Sequence, residues 1–129
     1  MNHYTVGVLR DFVAQHFLFG GDWGKENQLH SHHYRMEVIF AGTRLDQHGY
    51  LLDIAVVKEH LDRLVERFAH KTLNDLPELG GGNPGIEPFA RVLAEGMARA
   101  LGEPRNLTSL TVKLWENDEA FATYTIAFP

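Results

Sequence analysis

The amino-acid sequence predicts an α+β domain in which a four-stranded antiparallel sheet carries two consecutive helices on one face. Three observations lead to this prediction. Long alternating stretches near the N-terminus are typical of strands, two stretches in the middle have apolar residues at helical spacing, and two short alternating stretches end the chain. The 129 residues match the size of one domain, so we expect a single domain over residues 1–129.

Two long strands are expected first. The stretch 4–17 alternates, and residues of one parity would share a face: Tyr4, Val6, Val8, Phe12, Ala14 and His16. A glycine-rich loop at 20–24 precedes a second strand over about 29–41. Gly49 then marks a turn before a short apolar strand at 50–52. Strands joined by short connections pair in antiparallel orientation, which is the pairing we expect here.

Two helices are expected next. Asp53 is a suitable N-cap for a helix that ends near residue 69, and its apolar residues recur at helical spacing. Asn83 is expected to cap a second helix, with Pro84 at the first helical position, where the missing N–H has no cost. Gly102 is expected to end this helix. Two consecutive helices of this kind would cover one face of the sheet.

Two shorter strands are expected at the C-terminus, over 108–116 and 120–128, with 117–119 as the turn between them. The sheet would then have two outer strands with unpaired main-chain groups. Such edges tend to pair with other chains. We therefore expect sheets of different subunits to join.

Composition excludes several classes of protein. The chain has no Cys, which excludes disulfides, cysteine–zinc sites, iron–sulfur clusters and a thiol nucleophile. A net charge of −5 argues against general nucleic-acid binding. No run of about 18 apolar residues is present, so we expect no membrane span. The N-terminus lacks the basic and apolar regions of a secretory signal, so a cytoplasmic protein is expected.

Eight histidines make a metal site a natural hypothesis. His30 and His32 are two residues apart on a predicted strand, so both imidazoles face the same side. His16, near the end of the first strand, can complete a three-histidine site if the strands are neighbours. Three protein nitrogens with an open fourth position are typical of catalytic zinc. The alternative is that the pair is only packed or partly exposed, as is usual for two such histidines on a strand.

Several motifs together resemble one family. The segments FVAQH at 12–16 and LHSHHY at 29–34 are similar to the F-x-A-x-H and L-H-G-H-x-Y motifs of the 6-pyruvoyltetrahydropterin and 6-carboxytetrahydropterin synthase family. The likeness continues in order along the chain at GYLLD in 49–53, His70, Leu73-Asn74, Asn83-Pro84 with Glu87, and Glu116. The matches span nearly the whole chain, and together they are specific although no single motif is decisive.

The resemblance implies a fold and a metal. The fold would be the tunnelling fold, in which subunits join antiparallel sheets into a barrel and assemble as hexamers. Zinc would be held by His16, His30 and His32. Glu116 would anchor the guanidine-like edge of a pterin, because a carboxylate accepts two parallel N–H bonds. Glu87 is the second expected substrate-binding residue.

Two departures from the family concern catalysis. The family's catalytic cysteine is absent, and the position four residues before His30 holds Glu26. Glu26 could be a general base, or it could be an ordinary loop carboxylate. The aspartate that normally precedes the family's catalytic histidine is Ala69 here, so His70 remains as an acid–base candidate without its usual partner.

Three functions therefore stay open. The first is a zinc-dependent lyase acting on 7,8-dihydroneopterin triphosphate or a related pterin, similar to 6-carboxytetrahydropterin synthase in a queuosine-type route. The second is a glutamate-type member that releases 6-hydroxymethyldihydropterin for folate synthesis. The third is a non-catalytic homo-oligomer that binds zinc and pterin.

Overall fold

The structure is a computed structural model that describes residues 2–103 and 106–129. Its strands and helices, in chain order, are β1 (Tyr4–His16), β2 (His30–Gly42), α1 (Ile54–Phe68), α2 (Ile86–Leu101), β3 (Ser109–Trp115) and β4 (Phe121–Ala127). Short 3-10 turns lie at Gly24–Asn27, Leu73–Asp75 and Pro77–Leu79. None of the helices in the described ranges has both the length and the apolar character needed to cross a membrane.

The four strands form one antiparallel sheet in the order β1-β2-β3-β4, which confirms the predicted fold class. In the register of β1 and β2, His16 lies opposite His30 and Ala14 lies opposite His32. The three histidines are therefore neighbours on one face at one end of the sheet. This placement follows from strand periodicity, because residues of one parity share a face.

The core lies between this face of the sheet and the two helices. Phe89 of α2 is fully buried, and its ring contacts Phe12, Tyr34 and Phe68 with centroid separations of 6.0, 5.2 and 5.3 Å. Aromatic side chains of this size contribute much of the apolar area that stabilises a small domain. The cluster fixes the start of α2 against β1 and β2, next to the histidines.

The predicted short strand at 50–52 is wrong. These residues form an irregular loop in which Leu51 is buried and Tyr50 is exposed. The carboxylate of Asp46 accepts hydrogen bonds from the N–H groups of His48 and Tyr50, so a side chain closes the loop. The apolar run therefore reflects packing of Leu51 and Leu52 on the core and not strand pairing.

The start of α2 also differs from the prediction. Its N-cap is Gly85, and no side chain caps the helix. The Asn83 amide instead accepts from the N–H of Phe19 at 2.9 Å and donates to its carbonyl at 2.9 Å. By contrast, the Asp53 carboxylate caps α1 as expected by accepting from the N–H of Ala55. Asparagine is a common helix-capping residue, but the side chain of Asn83 instead bonds the main chain of Phe19, 64 positions away in the sequence.

Candidate active site

Three imidazoles meet where β1 ends and β2 begins. The ring centroids of His16, His30 and His32 are 4.5 to 4.8 Å apart. His16 is 2 % exposed, and the other two are partly buried. The structure therefore brings together the three histidines that the sequence predicts as metal ligands.

Main-chain carbonyls orient two of these rings. His16 Nδ1 lies 2.8 Å from the carbonyl oxygen of Pro84, and His30 Nδ1 lies 2.7 Å from that of Gln28. A carbonyl can only accept, so both Nδ1 atoms carry the hydrogen and both Nε2 atoms keep a lone pair when the rings are neutral. His16 Nε2 is buried and has no hydrogen-bond partner among the described residues. Metal-binding histidines commonly have this arrangement.

Burial favours the neutral form of His16. It lowers the pKa of this imidazole, while the Pro84 carbonyl opposes the shift and positive charge on His32 and His30 would add to it. A neutral imidazole is the form that coordinates a metal.

Glu26 completes the cluster. It belongs to the 3-10 turn before β2, and its Oε2 lies 2.9 Å from His30 Nε2. The Nε2 atoms of His30 and His32 are 3.1 Å apart. One ligand atom from each of Glu26 and the three histidines lies within 4.8 Å of the others. Lone-pair atoms this close repel unless a proton or cation lies between them, so the three imidazole nitrogens fit a metal ion with the carboxylate beside it.

Glu116 lies beside this cluster, immediately after β3. Its Oε2 is 4.0 Å from His32 Nε2, and its side chain is partly buried. The ring of Tyr34 packs against His32 at 5.7 Å. Burial raises the pKa of the Tyr34 phenol, and the carboxylates of Glu116 and Glu26 raise it further, so the phenol stays protonated. Tyr34 was not predicted as a site residue, although its parity with His30 and His32 on β2 places it on their face.

A cavity of about 570 Å³ opens next to Glu116. It occupies a notch, because β2 begins at His30 whereas its pairing with β3 begins only at Arg35. Ser31 and His33 line the notch together with the turn after β3. The cavity is therefore bounded by a strand edge on one side and by a carboxylate on the other.

The main-chain groups of this strand edge point into the notch. On β1, the Val13 carbonyl accepts from His70 N–H and the Gln15 N–H donates to Lys71, so both face away from β2. Antiparallel pairing then directs the N–H and C=O groups of Ser31 and His33 away from β1 and toward the cavity. They offer donors and acceptors in the plane of the sheet.

His70 and Glu87 lie outside the cluster. His70 follows α1 in an exposed turn, and only its backbone N–H is tied to β1. Its φ of 61° is in the left-handed region, which is uncommon for residues other than glycine. Glu87 is exposed in the first turn of α2, where a carboxylate complements the helix dipole. Their expected roles in catalysis and substrate binding stay predictions.

The metal-free protein should lose stability as pH falls. The pKa of His16 is lower in the folded protein than its usual 6.5, so the unfolded chain takes up the proton first. The stabilising contribution of His16 is therefore fully present above its usual pKa of 6.5. It is lost as the pH falls through the pKa that His16 has in the folded protein. Urea unfolding at about pH 7.5 and about pH 5.5 measures the change in the free energy of unfolding.

Two variants test whether His16 causes this change. His16→Gln should weaken the pH dependence, and the exposed-site variant His3→Gln should not. Equal pH dependence in both would contradict the assignment.

Comparisons with known proteins agree with the fold. The family model for 6-pyruvoyl tetrahydropterin synthase matches residues 5–127. The dihydroneopterin monophosphate aldolase of Pyrococcus furiosus is 28% identical over 108 residues, which cover 84% of this chain and 85% of that protein. The Caenorhabditis elegans 6-pyruvoyl tetrahydropterin synthase superposes with a TM-score of 0.83 at 22% identity, over 98% of both chains.

A Plasmodium vivax 6-pyruvoyltetrahydropterin synthase, in a variant whose catalytic glutamate is replaced by alanine, also has a TM-score of 0.83. It is 14% identical and covers 99% of this chain and 100% of its own. At these identities the solved structures establish the fold, which is the tunnelling fold expected from the motifs. With the match of the family model to nearly the whole sequence, the chain belongs to the 6-pyruvoyl tetrahydropterin synthase family.

Proposed function

We propose that this protein is a zinc-dependent pterin aldolase that cleaves the side chain of a phosphorylated 7,8-dihydroneopterin and releases a 6-hydroxymethyl product. The observation that carries the proposal is the Glu26 carboxylate among three histidines in a chain without cysteine. A carboxylate can act as a general base here, and the chain offers no thiol for that role. The aldolase name of the Pyrococcus relative supports the same reaction.

His16, His30 and His32 would hold the zinc ion. When bound, zinc supplies a Lewis acid that lowers the pKa of the substrate's side-chain hydroxyls. The protein's own contribution is orientation, because Pro84 and Gln28 set the tautomers of two rings through main-chain carbonyls.

Glu116 would bind the pterin ring from one side of the notch. Its carboxylate can accept two parallel N–H bonds from the amino-pyrimidine edge of the ring. The unpaired main-chain groups of Ser31 and His33 lie along the same cavity and can satisfy further polar atoms of a planar ring. Glu87 remains a candidate for a second polar contact from the start of α2.

Glu26 would accept the proton in the cleavage step. Removal of the proton from the hydroxyl on the second side-chain carbon allows the bond between the first and second carbons to break. The electron pair of that bond passes into the ring imine, and the second carbon leaves as a phosphorylated aldehyde. Protonation of the first carbon restores the imine and gives the 6-hydroxymethyl product. The step is a retro-aldol cleavage and needs no oxidant.

His70 is the proposed donor of that last proton. Its imidazole is exposed, and its left-handed φ is a strained conformation of the kind often retained at functional sites. Because asparagine tolerates this conformation, His70→Asn removes the imidazole without adding backbone strain. That variant therefore separates the chemistry of the side chain from the geometry of the turn.

We also propose that copies of the chain assemble through their sheet edges into a barrel, as a hexamer. In the described part of the chain, β4 is bonded to β3 alone, and β1 has a neighbour on its outer edge only near Gln15 and Thr72. Exposed strand edges favour pairing with another chain. Light scattering of the purified protein measures the mass of the assembly.

Product identification tests the function. The zinc-loaded protein is incubated with dihydroneopterin monophosphate and, separately, with the triphosphate, and the products are identified by mass spectrometry. We expect a 6-hydroxymethyl pterin and a phosphorylated two-carbon aldehyde in equal amounts. A 6-carboxy product would favour the synthase of the queuosine-type route instead. Tight pterin binding without turnover would indicate a non-catalytic binding protein.

A further inference from the structure

The 3-10 turn that carries Glu26 is not anchored in the apolar core. None of the residues in its 3-10 turn, Gly24–Asn27, is buried. Burial of the turn in the core therefore does not hold the Glu26 carboxylate, whose Oε2 lies 2.9 Å from His30 Nε2. Polar contacts supply the positioning, and within the loop Asn27 forms three of them.

Asn27 forms three hydrogen bonds across this loop. Its Oδ1 accepts from the N–H of Trp23 at 2.7 Å, and its Nδ2 donates to the carbonyls of Leu18 and Gly21, both at 2.9 Å. The side chain therefore uses both donor hydrogens of its amide and its acceptor oxygen on the main chain. It joins the strand-end segment after His16 to the turn before β2.

The main chain of Glu26 bonds two of the residues that Asn27 also bonds. Its carbonyl accepts from the N–H of Leu18 at 2.8 Å, and its N–H donates to Trp23 at 3.3 Å. Leu18 and Trp23 are two of the three residues that Asn27 bonds. Asn27 and the Glu26 backbone therefore form one hydrogen-bonded unit with the segment that leads out of β1.

Two glycines shape the backbone around this unit. Gly24 has a φ of 63°, a conformation that glycine adopts without strain. The indole of Trp23 lies against Gly21, where an added Cβ would come within 2.7 Å of the ring. The turn is closed on one side by an aromatic ring and on the other by Asn27.

We propose that Asn27 is a positioning residue that places the Glu26 carboxylate beside His30. The inference rests on the proposed role of Glu26 as the base. Asn27 does not touch the reacting atoms, because its amide bonds only main-chain groups of the loop. Its effect on the reaction should therefore depend on the presence of Glu26. A residue that only stabilises the fold would have the same effect with or without Glu26.

A double-mutant cycle tests this path. The single-turnover rate is measured for the zinc-loaded wild-type protein, Asn27→Ala, Glu26→Gln and the double variant. We expect Asn27→Ala to lower the rate on the order of 100-fold when Glu26 is present, because small displacements of a reacting group have effects of this size. In the Glu26→Gln background it should lower the rate by less than about two-fold, with KM little changed in both.

Equal losses in the two backgrounds would overturn the proposal, because Asn27 would then act independently of Glu26. A fully active Glu26→Gln variant would reject the role of Glu26 itself, and the positioning role would fail with it. A large loss for Glu26→Gln with a fully active Asn27→Ala would reject only the positioning role. The three results are distinct.

Hydrogen exchange gives a readout that does not depend on turnover. Asn27→Ala should speed amide exchange in peptides covering 17–28 and leave the exchange of β3 and β4 unchanged. Asp46→Ala is the matched control, since it removes a loop-closing side chain that accepts from His48 and Tyr50 in another loop. The control should retain the wild-type rate. Unchanged exchange at 17–28 in Asn27→Ala would overturn the proposal.

Discussion

Glu26→Gln should reduce kcat by about 10²- to 10⁴-fold, the range attributed to a general base. Glutamine has nearly the same shape but cannot accept a proton from the substrate. Because the imidazoles would still supply three nitrogen ligands, we expect zinc to remain bound. Steady-state kinetics with metal analysis of the same samples would check both statements.

A remote carboxylate provides the control for this change. Glu59 lies on the exposed face of α1 and pairs with Arg63, so Glu59→Gln should leave kcat unchanged. If Glu26→Gln instead lost zinc in proportion to its activity, the carboxylate would be a metal ligand and the proposed base would be wrong. Full activity would show that Glu26 is only a loop residue.

Replacing both His30 and His32 with alanine should abolish zinc binding and activity together. Zinc at about 1,000 times its Kd should stabilise the wild-type fold by about 4 kcal/mol, because a ligand that binds only the native state shifts the unfolding equilibrium. The double variant should show no such stabilisation. Denaturant unfolding with and without zinc measures the difference.

His33 offers a matched control from the same strand. Its side chain lies on the opposite face of β2, is mostly exposed and approaches Asp11 at 3.8 Å. His33→Ala should retain zinc and its stabilising effect. If the His30 and His32 variant kept stoichiometric zinc and full stabilisation, the metal site would have to be elsewhere in the protein.

The sequence was sufficient for the elements that depend on periodicity. Alternation predicted β1 and β2, and with them the common face of His16, His30 and His32. Helical spacing and the Asp53 cap predicted α1. These features depend on residues a few positions apart, so a linear pattern contains the information.

The position of Glu26 could not be predicted in the same way. The segment between β1 and β2 is held by amide side chains that are distant in sequence, since Asn74 bonds Phe17 from 57 positions away and Asn83 bonds Phe19 from 64. A local interpretation made Asn83 a helix cap because it stands before Pro84. Whether Glu26 reaches the histidines depends on these tertiary contacts together with the loop contacts of Asn27, and no spacing motif encodes either set.

The carbonyls of Pro84 and Gln28 have a consequence for how this site can change. They are main-chain atoms. The path of the backbone, and not a neighbouring side chain, therefore determines which nitrogens of His16 and His30 keep a lone pair. Substitutions at the surrounding positions can then alter Glu26 or the cavity without changing how these imidazoles are oriented. If the proposed zinc site is right, the fold could accommodate a change of reaction, such as exchange of a thiol for a carboxylate, while the orientation of the metal ligands stays constant.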